Sequence, residues 1–394
     1  MESRLMSPAF VRVWIATLGA FGSFGMVVFT LPLYTKDELG RGSVGIGVAV
    51  GAASVTSMVF SILSGRFADR RGRRPLLLAG AAVMLACYLA LALNPGLAAV
   101  VAIRLVAGAA EATFVVGAYT VIADLAPGHR RGEAMSLVTL ASYLGLTIGP
   151  VLADLVLGGD RFTAVWLVAA GLVLASIVML ATFRETQPQL EHSTASPGWL
   201  PPRGALVPGL LVLVGLLGFG GFITFAALYA RDLGIDRPGL VFALFGGVIC
   251  LVRAFGRKVP DALGARRTLV VSFVTLAVGL ATIGAWQSTS GLLVGTVVFA
   301  AGQALTYPSA VLLAMEATTT AERSATVGTV GAFVDVAIGL GAFSLGGVAA
   351  VWGYGGVFLV ASLVALSGLI VLVPLRKVDP RLGATAGAGG RIQP

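Results

Sequence analysis

Four ionisable residues lie deep inside otherwise apolar stretches: Arg104, Glu111, Asp154 and Asp335. Charges in such surroundings are costly, and they mark ion or substrate pathways when they occur inside a membrane. Arg104 and Glu111 are seven residues apart in a segment that reads as helix. Both side chains therefore face nearly the same way, ~10 Å apart along the axis. Burial disfavours an ionised carboxylate and a neighbouring cation favours it, so such a group can load and release a proton. The competing expectation is a pair of buried charges, each satisfied locally by polar groups. Asp335 follows Arg323 by twelve residues, roughly 18 Å of helix rise, and nothing in its own segment neutralises it. It is expected either to take part in proton or substrate binding or to make a structural polar contact. Arg253 is about a turn from Arg257 and Lys258, and snorkelling to the interface is the expectation there.

The elements that position these residues follow from composition. The chain has 394 residues, 57% hydrophobic and 11% charged, against roughly 25% charged in soluble domains. Apolar side chains would have to cover the exterior of any soluble fold, so the expected solvent is lipid. Twelve apolar segments of ~20 residues, from 10–34 to 355–375, are each long enough to cross the bilayer as helix. The expected fold class is an all-α integral membrane protein with twelve transmembrane helices. Of the 27 Lys and Arg, 21 fall on the side of the termini and of the loops after even-numbered spans. The opposite loops hold Lys36, Arg41, Arg161, Arg231 and Arg237. This asymmetry predicts cytoplasmic N and C termini, and it accounts for the net charge of +9 without nucleic acid. Cys87 and Cys250 sit far apart in apolar runs, and His129 and His192 lack ligand spacing, so no metal site is expected.

A polar, Pro-rich stretch divides the chain. The expected organisation is a six-helix bundle over 1–185, a cytoplasmic linker over 186–204, a second six-helix bundle over 205–378, and a flexible tail over 379–394. The halves show faint self-similarity. Asp69 and Gly72 are mirrored by Asp261 and Gly264, and Asp124 and Arg131 by Glu316 and Arg323. A six-span internal repeat is a sign of two bundles that rock about a central site.

The most charged stretch of the first half, Ser64–Pro75, contains Gly65, Asp69, Arg70, Gly72, Arg73 and Arg74. Its arginines hold a loop on the cytoplasmic side, a task that does not need Asp69. With its spacing G-x-x-x-D-R-x-G-R-R, it resembles the loop 2–3 signature of the major facilitator superfamily. The resemblance implies a gating contact in which Asp69 meets the N-terminal end of span 11, latching the halves on the cytoplasmic side. The Arg104 stretch resembles the span-4 motif of the same superfamily, linked to proton coupling, with Ala107 in place of its Gln. Gly145, Gly149 and Pro150 in span 5 resemble the motif of its drug/proton antiporters, in which Ala153 and Asp154 replace a final Gly-Gly. Plain helix packing through small residues is the competing account of span 5. Asp154 is expected near the outer mouth, as a partner of Arg104, an outer proton relay or a simple interfacial acid.

The resemblance places Phe24, Tyr119, Phe222, Phe225, Gln303 and Tyr307 on helices that face a cavity. They would make a mostly apolar pocket with a few polar anchors, suited to amphiphilic or aromatic molecules. No GxxxxGK[ST] loop is present, which excludes ATP-driven transport within this chain. The expectation is a proton-coupled exporter of small organic compounds, drug-like or sugar-like, by alternating access. A proton-linked importer or metabolite carrier is the alternative. No enzymatic activity, no cofactor beyond the coupling proton and no nucleic-acid partner is expected. The partners expected are a small-molecule substrate and the lipid bilayer, for a monomer in a bacterial cytoplasmic membrane.

Overall fold

The computed structural model describes residues 6–158, 161–182, 202–256, 262–318 and 323–372. The side chains of residues 65, 66, 68–71, 129, 203 and 323–325 lie outside that description. The expected tail, the expected linker up to residue 201, the second-copy acid Asp261 and the side chains of Asp69 and Arg70 are therefore outside it, and residues 203 and 204 of the expected linker already belong to a helix.

The described residues form eleven α-helices and one short 3-10 helix, Gly128–Arg130. The α-helices are α1 (Pro8–Asp37), α2 (Ser43–Arg71), α3 (Arg73–Leu91), α4 (Leu97–Leu125), α5 (Arg131–Leu157) and α6 (Phe162–Ala181), then α7 (Arg203–Asp232), α8 (Gly239–Phe255), α9 (Ala265–Ala285), α10 (Thr289–Glu316) and α11 (Arg323–Val371). Ten are long and apolar enough to cross a membrane, and the eleventh, Gly239–Phe255, is a shorter apolar helix. Uninterrupted apolar sequence gives helix here because every backbone polar group must be satisfied within its own segment. Local signals set the ends: Ser7 caps α1 through Phe10 N at 3.2 Å, and Ser288 caps α10 through Gly291 N at 3.1 Å. The exterior carries exposed Val55, Ile62, Leu155, Leu167, Val178, Leu251, Val278 and Ile370, as a lipid-facing surface requires.

Helix α11 runs for 49 residues and contains one non-helical position, Gly353, at φ 67° and ψ −176°. Gly72 (φ 90°, ψ 160°) and Gly264 (φ 80°, ψ 150°), between α2 and α3 and before α9, have the same extended positive-φ geometry. Only glycine occupies that region without strain. The sequence repeat thus reappears in the backbone. Arg73, Leu97 and Arg131 start α3, α4 and α5, and Ala265, Thr289 and Arg323 start α9, α10 and α11, with one offset of 192 residues, as between positions 73 and 265.

Within the first six helices, α1 packs on α5 and α6, α2 on α4, and α3 on α4 and α6. Within the rest, α7 packs on α11, α9 on α10 and α11, and α8 on α10. Three seams join the two sets: α2 against α11, α5 against α8, and α1 against α7. Backbones come very close at these crossings. A Cβ on Gly47 would fall within van der Waals overlap of the Ala342 carbonyl, and one on Gly339 would lie 2.7 Å from Ser54 Cβ.

Candidate functional site

Arg104 and Glu111 meet. The guanidinium Nη1 of Arg104 donates to Glu111 Oε1 at 3.0 Å, and the Tyr88 hydroxyl donates to the same oxygen at 3.2 Å. Arg104 is only 2% exposed, and its Nε has no hydrogen-bond partner. Their backbone positions are two helical turns apart, but two long side chains on one face close that gap. Between them, Gly108 lets α2 lie directly on α4: a Cβ there would overlap the Ala53 carbonyl. Thr56 adds a bond across the same crossing, donating to Leu105 O at 2.5 Å. The pair is thus interior to the first set of helices, neutralised within itself and turned away from lipid.

Asp335 also faces protein. Its Oδ1 accepts from Ser57 at 3.0 Å and its Oδ2 from Ser61 at 3.2 Å. The serines are four apart on α2, one helical turn, so their hydroxyls present a matched pair of donors to one carboxylate. The bonds run across the α2–α11 seam. On the α5–α8 seam the charge is reversed. Arg253 Nη2 donates to the Tyr143 hydroxyl at 2.8 Å, with its guanidinium carbon 4.2 Å from the centre of the Tyr143 ring. Arg253, expected to snorkel to the interface, thus reaches across the seam to the other half. Tyr119 of α4 hydrogen-bonds Ser142 at 3.2 Å, and Tyr307 of α10 lies within electrostatic reach of Tyr143, Tyr119, Arg253 and Asp335.

At the other end of the helices α1 and α7 are cross-paired. Lys36 Nζ is 3.4 Å from Asp232 Oδ1, and Arg231 Nη1 is 2.7 Å from Asp37 Oδ2. The ammonium of Lys36 also sits 5.4 Å from the centre of the Tyr354 ring. Asp154 lies at this end too. A Cβ on Gly239 would sit 2.8 Å from Asp154 Cβ, so the acid rests on the α5–α8 crossing. Arg104 is bound to Glu111 instead, and Asp154 is not its partner.

The aromatic candidates divide. Phe222 and Phe225 are fully buried in the second set of helices. Phe222 packs with Phe242, Phe245, Phe299 and Phe358, and Phe225 stacks on Tyr354. Both are core residues, and so is Phe114. The rotation of α7 turns Phe219 toward the seam in their place. Phe219 lines a cleft of about 50 Å³ between α1, α5, α7 and α8, together with Val28, Tyr143, Thr147, Phe245 and Ile249. Phe24 and Tyr307 are half-buried, while Gln303 is buried with its Oε1 unpartnered. Gly145 and Gly149 serve packing, since a Cβ on either would strike the α1 backbone at Gly22. Pro150 lines the cleft.

In the loop after α2, Gly72 makes the turn that its type predicts. Arg73 pairs with Asp124 of α4, and Arg74 donates to Ala181 O of α6 at 2.7 Å. Two arginines of the charged cluster thus brace the first set of helices internally. Ser57, Ser61 and Tyr143 were not among the expected site residues. The four-residue spacing of the serines was a usable signal; Tyr143 offered none apart from its place in an apolar helix.

Comparison with known proteins gives a consistent result. The sequence matches the family model of the Major Facilitator Superfamily over residues 13–260 and 209–391. An uncharacterised MFS-type transporter of Salmonella typhimurium (strain LT2) is 27% identical over 376 residues, covering 92% of this chain and 95% of the relative. One from Pseudomonas aeruginosa (strain UCBPP-PA14) is 27% identical over 388 residues, covering 95% and 94%. A mutant of the nucleoside transporter NupG superposes with a TM-score of 0.79 at 13% identity, covering 94% of this chain and all of that one. A POT family transporter in complex with a thioalcohol-conjugated peptide superposes with a TM-score of 0.78 at 14% identity, covering 94% and 96%. At such identities the superpositions speak for the fold alone.

Proposed function

Because the chain belongs to the major facilitator superfamily, we infer that this membrane transporter works by alternating access, coupling proton movement to the export of small amphiphilic organic compounds. The observation that carries this reading is the bonding of Asp335. A carboxylate of the second half is held by two hydroxyls of the first. Hydrogen bonds to a carboxylate favour its ionised form, so proton binding at Asp335 and the parting of α2 from α11 are linked. Glu111, held by Arg104 and Tyr88, is the second proton-handling candidate, and Asp154 an outer relay.

The architecture proposed is twelve spans in two bundles, over 1–185 and 205–378. Gly353 supports it. Subtracting the repeat offset places Gly353 at position 161, beside the loop between α5 and α6, so α11 corresponds to two helices of the first half. At about 1.5 Å per residue, 49 helical residues would extend more than twice the ~30 Å of hydrocarbon. Twelve crossings put both termini on one side, and the Lys and Arg distribution makes that side cytoplasmic. The Lys36–Asp232 and Arg231–Asp37 pairs then close the outer mouth. Asp69 belongs to the cytoplasmic gate by resemblance, and Asp69→Asn should slow transport while leaving membrane insertion intact.

Export is favoured over import by the span-5 motif. The test is a tolerance screen. Cells producing the protein should withstand an array of toxic amphiphiles better than controls, and cells producing Asp335→Asn should not. Unchanged tolerance combined with proton-dependent accumulation of a nutrient would replace export by import.

A further inference from the structure

We propose that Arg253 anchors the anionic end of an amphipathic organic anion, whose apolar body lies in the adjoining cleft between α5, α7 and α8. The proposal rests on the reading of this chain as a transporter of small organic compounds, and it names their charge class.

Three observations converge on it. First, Arg253 has no carboxylate. Among the described residues, Arg73, Arg104, Arg130 and Arg231 each pair with an acid, whereas the charge of Arg253 meets only the hydroxyl and ring of Tyr143. Its Nε is buried with no partner. A guanidinium offers five donors in a planar fork suited to a carboxylate or sulfonate. Asp335, on the α2–α11 seam, has both oxygens occupied by serine hydroxyls.

Second, head and body sites share one helix face. Phe242, Phe245, Gly246 and Ile249 of α8 line the cleft, and Arg253 is the next position on that ridge, four residues after Ile249. A ligand lying along α8 would set a hydrocarbon or aromatic body against these residues and its charge against the guanidinium. Tyr307, from α10, lies within electrostatic reach of the same guanidinium.

Third, the site is bound up with the seam. In the present arrangement the cleft holds about 50 Å³, room for one or two waters and not for an organic body. Its walls come from both halves, and a Cβ on Gly246 would overlap the Thr147 side chain. Entry of a ligand therefore requires α8 to move off α5, which also frees Arg253 from Tyr143. An anion can replace that neutral hydroxyl because a hydrogen bond between two charged groups is the stronger one.

The test uses three probes with one body: naphthoate, naphthylmethanol and naphthylmethylammonium. Each is titrated into the purified full-length chain in detergent at neutral pH, with thermal unfolding as readout. Naphthoate should stabilise most. Arg253→Gln should weaken its binding roughly tenfold or more, as loss of a charged hydrogen bond does, and leave naphthylmethanol unchanged. Arg253→Lys should fall between, and Tyr143→Phe, which removes the competing hydroxyl, should tighten naphthoate. The Lys and Phe variants decide the matter if the Gln variant fails to fold. Equal shifts from all three probes, strongest binding of the ammonium, no response to naphthoate, or an Arg253→Gln form that keeps the carboxylate preference would overturn the proposal. Uptake into proteoliposomes under a pH gradient separates it from the transport reading. Arg253-dependent naphthoate binding without any movement would sink transport and keep the site. Proton-driven movement of a neutral or cationic amphiphile, indifferent to Arg253→Gln, would do the reverse.

Discussion

Arg231, at the end of α7, places its Nη1 2.7 Å from Oδ2 of Asp37, at the end of α1. The neighbouring residues repeat the arrangement with the signs exchanged, Lys36 of α1 meeting Asp232 of α7 at 3.4 Å. The two helix ends are thus joined by reciprocal ion pairs across the seam. Each pair is about a third or more exposed, so each contributes only about 0.2–1 kcal/mol. Contacts of that size bias an equilibrium between open and closed ends without freezing it. Asp37→Ala should broaden and lengthen the spin-label distance distribution between the ends of α1 and α7. Combining Asp37→Arg with Arg231→Asp should restore the short distance. Unchanged distances in Asp37→Ala would show that hydrophobic contacts alone hold this end.

The Arg104–Glu111 pair should behave as a buried one. Removing one partner of such a pair leaves an uncompensated charge, at a cost of about 3–5 kcal/mol. Glu111→Gln and Arg104→Met should each lower the unfolding temperature in detergent. The double variant Arg104→Met with Glu111→Leu should recover most of the loss, because neither charge then remains. A double variant no more stable than the worse single would mean that the groups are held by other contacts.

Two glycines in the first half make a matched comparison. A Cβ on Gly108 would overlap the Ala53 carbonyl, whereas one on Gly171 meets nothing within 4 Å. Gly108→Ala should destabilise by about 1–3 kcal/mol through overpacking. Gly171→Ala should be neutral or slightly stabilising, since alanine is the better helix former. Equal unfolding temperatures for the two variants would contradict the close α2–α4 crossing.

Gly72, Gly264 and Gly353 occupy a backbone region that is essentially closed to other residues. A Cβ on Gly264 or Gly353 meets nothing within 4 Å, so any effect of substitution there is conformational. Gly264→Ala and Gly353→Ala should each cost about 1–3 kcal/mol, measurable as lower yield of folded protein and lower unfolding temperature. Wild-type stability in Gly353→Ala would indicate that α11 passes through that position as unbroken helix.

Much of the fold is legible in the sequence because a bilayer restricts the backbone so severely. Apolar segments of spanning length become helices, and Gly72 and Gly264 announce their turns by residue type and by the repeat. The pairing of Arg104 with Glu111 is nearly legible as well, since both lie on one helix and their spacing alone puts them on one face. The boundary at Gly353 is less so: the apolar pattern on either side suggests two helices, and the backbone turns there with one non-helical residue.

The chain's own order of residues determined its solvent, its helices, its repeat and the presence of charges within the apolar segments. Tertiary structure decided what those charges touch. Arg253 and Tyr143 are 110 residues apart, and Asp335 and Ser57 278 apart. Their meeting depends on how α8 and α11 are rotated and how one half docks on the other. Rotation also decided that Phe222 and Phe225 fill the core while Phe219 lines the cleft. Lipid-facing, core and cavity positions can all be apolar in such a helix, so composition carries little information about which face is which. That information exists only once neighbouring helices have packed.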